Sequence, residues 1–194
     1  MGVITHMTVK KGKGKYKDVE VEIVNIVVST SMDTPVPLEK MAATLSNTEY
    51  NPEQFPGLVI RIKEPKTSAL IFSSGNVVCT GARNMQEVDR AIQEIIKSLA
   101  KIAVKVTVVP QITVQNIVAS GSIGMKLNLN VLAMRLENTE YEPEQFPGLV
   151  YKLNEAKATF LLFSNGKVVC TGTKSESEVD KAMELLVDRL EEFK

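Results

Sequence analysis

The 194-residue chain has no tryptophan, one histidine and two cysteines. A lone histidine, His6, lies outside the repeats described below, so they lack the commonest general base and metal ligand. No nucleophile and base recur together, and no cluster of metal-ligating residues occurs, so a non-enzyme without cofactor or metal is expected. Charge of one sign is missing as well: 23 Lys and Arg balance 23 Asp and Glu. That excludes a generic electrostatic coat for nucleic acid. No apolar run approaches the ~18 residues of a membrane span, and no signal peptide is visible. The chain therefore reads as intracellular, with no membrane partner. Apolar residues at 44% and charged residues at 24% are ordinary for a globular protein.

What is present is a repeat. Glu49-Tyr50-Asn51-Pro52-Glu53-Gln54-Phe55-Pro56-Gly57-Leu58-Val59 returns 91 positions later as Glu140-Tyr141-Glu142-Pro143-Glu144-Gln145-Phe146-Pro147-Gly148-Leu149-Val150. The same offset links Asn25-Ile26-Val27 to Asn116-Ile117-Val118, and Val77-Val78-Cys79-Thr80-Gly81 to Val168-Val169-Cys170-Thr171-Gly172. From Asn25 to Leu99 the offset never slips, and 36 of those 75 positions are identical. Two such units imply a pseudo-two-fold object facing a partner that is itself roughly two-fold. Residues 20–109 and 110–194 are taken as the repeats. Residues 1–19 form a basic tail with Lys10, Lys11, Lys13, Lys15 and Lys17, either simply solvated or in loose phosphate contact. Met1–His6 reads as a leader ahead of Met7, with His6 no ligand. Cys79 and Cys170 occupy equivalent places, and two free, buried thiols are expected rather than a disulfide or a nucleophile.

Each repeat should contain a strand, a short helix, four strands and a long helix. Val21–Ser31 alternates and is rich in Val and Ile, a strand. Leu38, Met41, Ala42 and Leu45 follow helical spacing, with Pro37 near the first position. An extended stretch at 47–50, a loop pinned by Pro52 and Pro56, and an antiparallel meander over 57–63, 67–73 and 77–81 come next. Asn84 with Glu87, and Ser175 with Glu178, are capping boxes. They open stripes at Val88, Ala91, Ile92, Ile95, Ile96 and Leu99, and at Val179, Ala182, Met183, Leu186, Val187 and Leu190.

Strand parity separates two faces. Ile26, Val28, Leu58, Ile60, Ile62, Ala69, Ile71, Val77 and Cys79 suit packing under the helices. Asn25, Val27, Val59, Arg61, Leu70, Phe72, Val78 and Thr80 point the other way. So do Asn116, Val118, Val150, Lys152, Leu161, Phe163, Val169 and Thr171. This second face is also apolar, and no third helix is left to cover it. An uncovered apolar face is an interaction site. The alternative is that the repeats seal these faces into one core, at the cost of buried Asn, Thr, Arg and Lys. Small donors amid valines suit the minor groove, where A·T pairs show only acceptors. Phe55, Phe72, Phe146 and Phe163, four of the six phenylalanines, are expected in pairs at two outer edges, as wedges between base steps.

With these motifs in hand, residues 20–194 resemble the TATA-binding protein family in its archaeal form, a family that is itself a standard instance of minor-groove wedging. The resemblance implies an α+β saddle: a pseudo-two-fold, ten-stranded curved antiparallel sheet with four helices on its convex face. It implies a general transcription initiation factor that binds and kinks the TATA element. Asn25 and Asn116, helped by Thr80 and Thr171, would bond base acceptors. Val27, Val78, Val118 and Val169 would line the groove floor, with Leu70 and Leu161 outside. Phe55 with Phe72 and Phe146 with Phe163 would insert at the kinks. Arg61, Lys152 and Lys167 would meet phosphates, whereas Asn76 departs from the family's Lys. The resemblance also implies that transcription factor B docks on the second loop, at Glu142, Glu144 and Gln145, and brings RNA polymerase indirectly; solvated loop acids are the other reading. The location implied is cytoplasmic and nucleoid-associated in an archaeon, nuclear in a eukaryote. An uncovered face also predicts a homodimer at high concentration without DNA. Two other classes stay open: a binder of a hydrophobic ligand or protein on the apolar face, and a module of the same fold within an enzyme or repair complex.

Overall fold

β-branched residues favour strands, and Val, Ile and Thr are frequent in the strands of the computed structural model, which describes residues 7–8 and 19–193. His6, the leader and the lysines of the tail lie outside the described residues. The chain divides into two compact units, Asn25–Gln115 and a second that joins the stretch up to Val24 to everything from Asn116. Strand β2 (Glu20–Ser31) contributes its end to the first and its beginning to the second.

In the Asn25–Gln115 unit, β2 is followed by α1 (Leu38–Thr44), β3 (Thr48–Glu49), β4 (Gly57–Ile62), β5 (Thr67–Phe72), β6 (Asn76–Ala82) and α2 (Met85–Lys101). The strands lie in the order β3-β4-β5-β6-β2, each antiparallel to its neighbour. The second unit holds β7 (Thr113–Ser122), α3 (Leu129–Arg135), β8 (Thr139–Glu140), β9 (Leu149–Leu153), β10 (Ala158–Leu162), β11 (Lys167–Thr173) and α4 (Glu176–Glu191). Its order is β8-β9-β10-β11-β7, again antiparallel. The expected ten strands and four helices are therefore present. A further two-residue strand, β1 (Met7–Thr8), pairs with Glu20 and Val21.

The helices cover one side of each sheet only. In the first unit the inward strand residues, from Ile26 and Val28 through Leu58, Ile60, Ala69 and Ile71 to Val77 and Cys79, are buried. They are joined by Val88, Ala91, Ile92, Ile95 and Leu99 of α2, while Ile96 at the edge of that stripe is only half-buried. In the second unit Phe160, Leu149 and Leu162 are fully inside, with all six stripe residues of α4. Each fully buried Leu, Ile or Phe contributes roughly 1.5–3 kcal/mol.

Local signals act as their chemistry dictates, with small displacements. Asn84 Oδ1 accepts from the Glu87 N–H at 2.8 Å, and Ser175 Oγ from the Glu178 N–H at 3.2 Å. The returning carboxylates reach one residue further back than a standard box: Glu87 Oε2 accepts from the Arg83 N–H and Glu178 Oε2 from the Lys174 N–H. Pro37 occupies the cap itself, one residue before α1, and its carbonyl accepts from the Met41 N–H at 3.0 Å. The turn at Glu64-Pro65 contains a cis peptide, and its counterpart Asn154–Ala156 is a single turn of 3₁₀ helix.

One-sided cover is testable with neighbours on β10. Truncating the inward Phe160 to Ala should cost about 3–5 kcal/mol in urea unfolding. Truncating the outward Leu161 should cost less than half as much. Equal losses would mean that both faces are packed.

Candidate nucleic-acid interface

Hydrogen-bond register organises the uncovered face into transverse rows. In the first unit Arg61 stands opposite Ser68, and Ser68 opposite Thr80, whose hydroxyl meets Asn25. The next row runs Val59, Leu70, Val78 and Ser29. The second unit repeats both: Lys152, Thr159, Thr171 and Asn116, then Val150, Leu161, Val169 and Ser120. None of the sixteen face residues anticipated from parity is buried; Arg61 and Lys152 are exposed and the rest half-buried. The alternative in which this face is sealed into a core therefore fails.

The two asparagines are held by an unusual piece of backbone. β6 bulges against β2 at Thr80-Gly81, and β11 against β7 at Thr171-Gly172. Gly81 and Gly172 take φ of +103° and +99°, where a side chain is strained. A Cβ on Gly172 would also lie 2.8 Å from the Lys157 carbonyl oxygen. The bulge turns each glycine N–H onto an asparagine: Gly81 donates to Asn25 Oδ1 at 2.7 Å and Gly172 to Asn116 Oδ1 at 2.8 Å. Because an N–H can only donate, the amide oxygen must face it. Asn25 Nδ2 then donates one hydrogen to Thr80 Oγ1 at 3.1 Å, and Asn116 Nδ2 one to Thr171 Oγ1 at 3.0 Å. The second hydrogen of each amide is free for a ligand. The end of each polar row opposite Arg61 or Lys152 thus presents an oriented, neutral donor, with valines of the face nearby.

At the outer edges the rings pair as expected. Phe55 and Phe72 have centroids 5.9 Å apart at 62°, and Phe146 and Phe163 5.9 Å apart at 69°. Phe55 is set by a loop whose Gln54 and Phe55 N–H groups both donate to the Asn51 carbonyl. Gln145 and Phe146 do the same to Glu142. A Cβ on Gly57 or Gly148 would stand 2.6 Å from the Phe55 or Phe146 ring, so glycine is what lets each ring lie across the strand. Phe55 and Phe146 remain 44% and 42% exposed.

Glu142, Glu144 and Gln145 are exposed on the loop that holds Phe146. Lys167 is exposed at the start of β11, on the same face as Val169. Arg61 is engaged: its Nη2 lies 3.1 Å from Glu49 Oε2 in an exposed ion pair. Sequence reading missed that pair, the serines and Thr159 that complete the rows, and Gln115, whose Nε2 donates to Ser29 Oγ at 2.8 Å. Strand spacing carried the signal for the row residues, once the register was known. A concavity of about 780 Å³ beside Phe72 is partly open to solvent and has a mixed lining, with Pro56, Phe72, Val77 and Val78 beside hydroxyl and amide groups such as Ser29, Asn76 and Gln111. Among the described residues no group of three or more His, Cys, Asp or Glu could hold a metal, and no helix is long and apolar enough to cross a membrane.

Comparison with known proteins identifies the family. The chain belongs to the family described as transcription factor TFIID, or TATA-binding protein, which matches residues 20–102 and again 111–193. It is a family of transcription factors, not of enzymes. A TATA-box-binding protein of Methanocaldococcus jannaschii is 48% identical over 92% of this chain and 97% of its own. One from Methanothermobacter thermautotrophicus is 48% identical over 91% and 97%. A solved structure, the Methanococcus jannaschii TBP, matches with a TM-score of 0.83 at 48% identity, covering 89% of this chain and 98% of that one. The fold is that of this family.

Both cysteines are free and buried. Burial pushes Cys79 up from the ordinary thiol value of 9.0 to about 11, partly offset by hydrogen bonds from Thr67 and Thr80, and pushes Cys170 up to about 12. The unfolded thiols ionise near 9.0, so the folded state holds more protons above that pH. Their contribution is complete below about pH 9 and is lost as pH rises toward 11 and 12. The fall should be about 1.4 kcal/mol per pH unit for each thiol. Urea unfolding between pH 8 and pH 10.5 checks this, and Cys79→Ala with Cys170→Ala should flatten the slope.

Proposed function

We propose that this protein is a transcription initiation factor that binds the minor groove of a TATA element, kinks it and recruits transcription factor B and, through it, RNA polymerase. The observation that carries the reading is the pair of glycine-fixed amides, Asn25 and Asn116, each offering a neutral donor from an uncovered apolar face. A·T and T·A pairs show only acceptors in that groove, whereas guanine adds an amino donor. An amide locked as a donor cannot turn to accept from guanine, and Val27, Val78, Val118 and Val169 leave the amino group unpaired. Each wrong pair should cost roughly 1–3 kcal/mol.

Leu70 and Leu161 extend the apolar contact, and the Phe55–Phe72 and Phe146–Phe163 pairs enter the base stack at the two ends. Unstacking costs a few kcal/mol per step, offset by the apolar area covered when the opened groove meets the sheet. Among the described residues Arg61, Lys152 and Lys167 are the cations assigned to the face, so few counterions are released there and affinity falls gently with salt. Relatives at 46–48% identity carry the name TATA-box-binding protein, which supports the same ligand. The exposed acids Glu142 and Glu144, with Gln145, suit a basic protein surface rather than phosphate, which fits transcription factor B on that loop. Such a factor works in the archaeal nucleoid.

A gel shift comparing a TATA duplex with its G·C-substituted form, with and without transcription factor B, tests recognition and recruitment together. The expected result is selective binding to the TATA duplex and a further shift when the factor is added. Phe146→Ala combined with Phe163→Ala should reduce bending, read by end-to-end energy transfer, while urea unfolding changes far less. Normal bending by that variant would remove the wedge assignment.

A further inference from the structure

The two units build the same face with different electrostatics. At the outer end of the polar row the first unit has Arg61 and the second Lys152. Arg61 is neutralised locally by Glu49, 3.1 Å away. Lys152 has the equivalent glutamate, Glu140, in the same strand pairing, yet among the described residues no carboxylate lies within ion-pair distance of it. Beside the phenylalanine pair, β6 begins with the neutral Asn76 and β11 with Lys167, which likewise has no ion pair among the described residues. Both positions are exposed on the uncovered face. One unit therefore offers two uncompensated cations and the other a single guanidinium already engaged with a carboxylate.

We infer that Lys152 and Lys167 carry most of the phosphate grip on a duplex, so that the repeat-two unit adds an electrostatic hold to its half while the repeat-one unit holds chiefly by apolar contact and wedging. The inference rests on the TATA-binding reading and adds a polarity to it. An exposed ion pair is worth little in stability, so Glu49 does not forbid Arg61 from turning to a phosphate. Its carboxylate nonetheless stays within a few ångströms and repels that phosphate, so little net counterion release follows. Each neutralised duplex phosphate contributes about 0.9 to the slope of log K against log salt. Lys152 and Lys167 together should account for roughly 1.8, and Arg61 for well under half of one lysine's share.

Anisotropy of a labelled TATA duplex across a KCl series reads these slopes directly, beside a G·C-substituted duplex. Lys152→Ala and Lys167→Ala should each make the slope shallower by about 0.9, and Arg61→Ala by much less. Glu49→Gln should steepen it by releasing Arg61, and Asn76→Lys should add about 0.9. Those two gains do not depend on a damaged protein. A loss in Arg61→Ala equal to that in Lys152→Ala, or no change in Glu49→Gln, would overturn the inference. Wild-type protein without preference for the TATA duplex would instead overturn the proposed function, so the two failures are distinguishable.

Discussion

Two backbone N–H groups, those of Gly81 and Gly172, decide what the uncovered face can recognise. Without them each asparagine amide could rotate and offer oxygen or nitrogen equally, and the face would accept donors as readily as acceptors. With them the amide has one orientation. The constraint reaches back into the fold, because only a bulge with a left-handed residue turns that N–H out of the ladder. Only glycine takes that position without strain against the Lys66–Thr67 and Lys157–Ala158 backbone. Under the proposed function, recognition chemistry is thus set by a backbone irregularity, not by the side chain alone.

The second governing feature is the one-sided sheet. Two helices per unit are enough to bury one face, and the inward strand residues are apolar nearly throughout. The outward face is left apolar and half-exposed, a standing cost to solubility that a monomer has no reason to carry. Under the proposed function this surface is what replaces charge. A neutral chain that must distort a polyanion needs another source of affinity, and apolar area in contact with an opened groove is available in quantity.

Much of this was legible in the sequence because the relevant periods are short. A period of two separated Ile60 from Val59 and Phe160 from Leu161, and the burial of each follows. Asn84 and Ser175 announced their helices through an N-terminal chemistry that needs only three residues. What was not legible depends on pairing between distant strands. The inward register of β2 slips between Ile23 and Ile26, leaving Val24 and Asn25 both outside the core, and simple alternation cannot reveal this. The engagement of Arg61 with Glu49 required the register of a two-residue strand, β3. Thr-Gly stood out as a repeated dipeptide, but its role required the positive φ of the glycine.

The paired rings at each edge have a kinetic meaning. Phe55 and Phe146 are fixed by a carbonyl that gathers two N–H groups and by a glycine that leaves room for the ring, so their posture exists before any partner arrives. A chisel of this kind is ground in advance. Under the proposed function, wedges held this way need little reordering, so the barrier to opening a base step falls on the duplex, and the stiffness of the nucleic acid rather than the agility of the protein sets the pace.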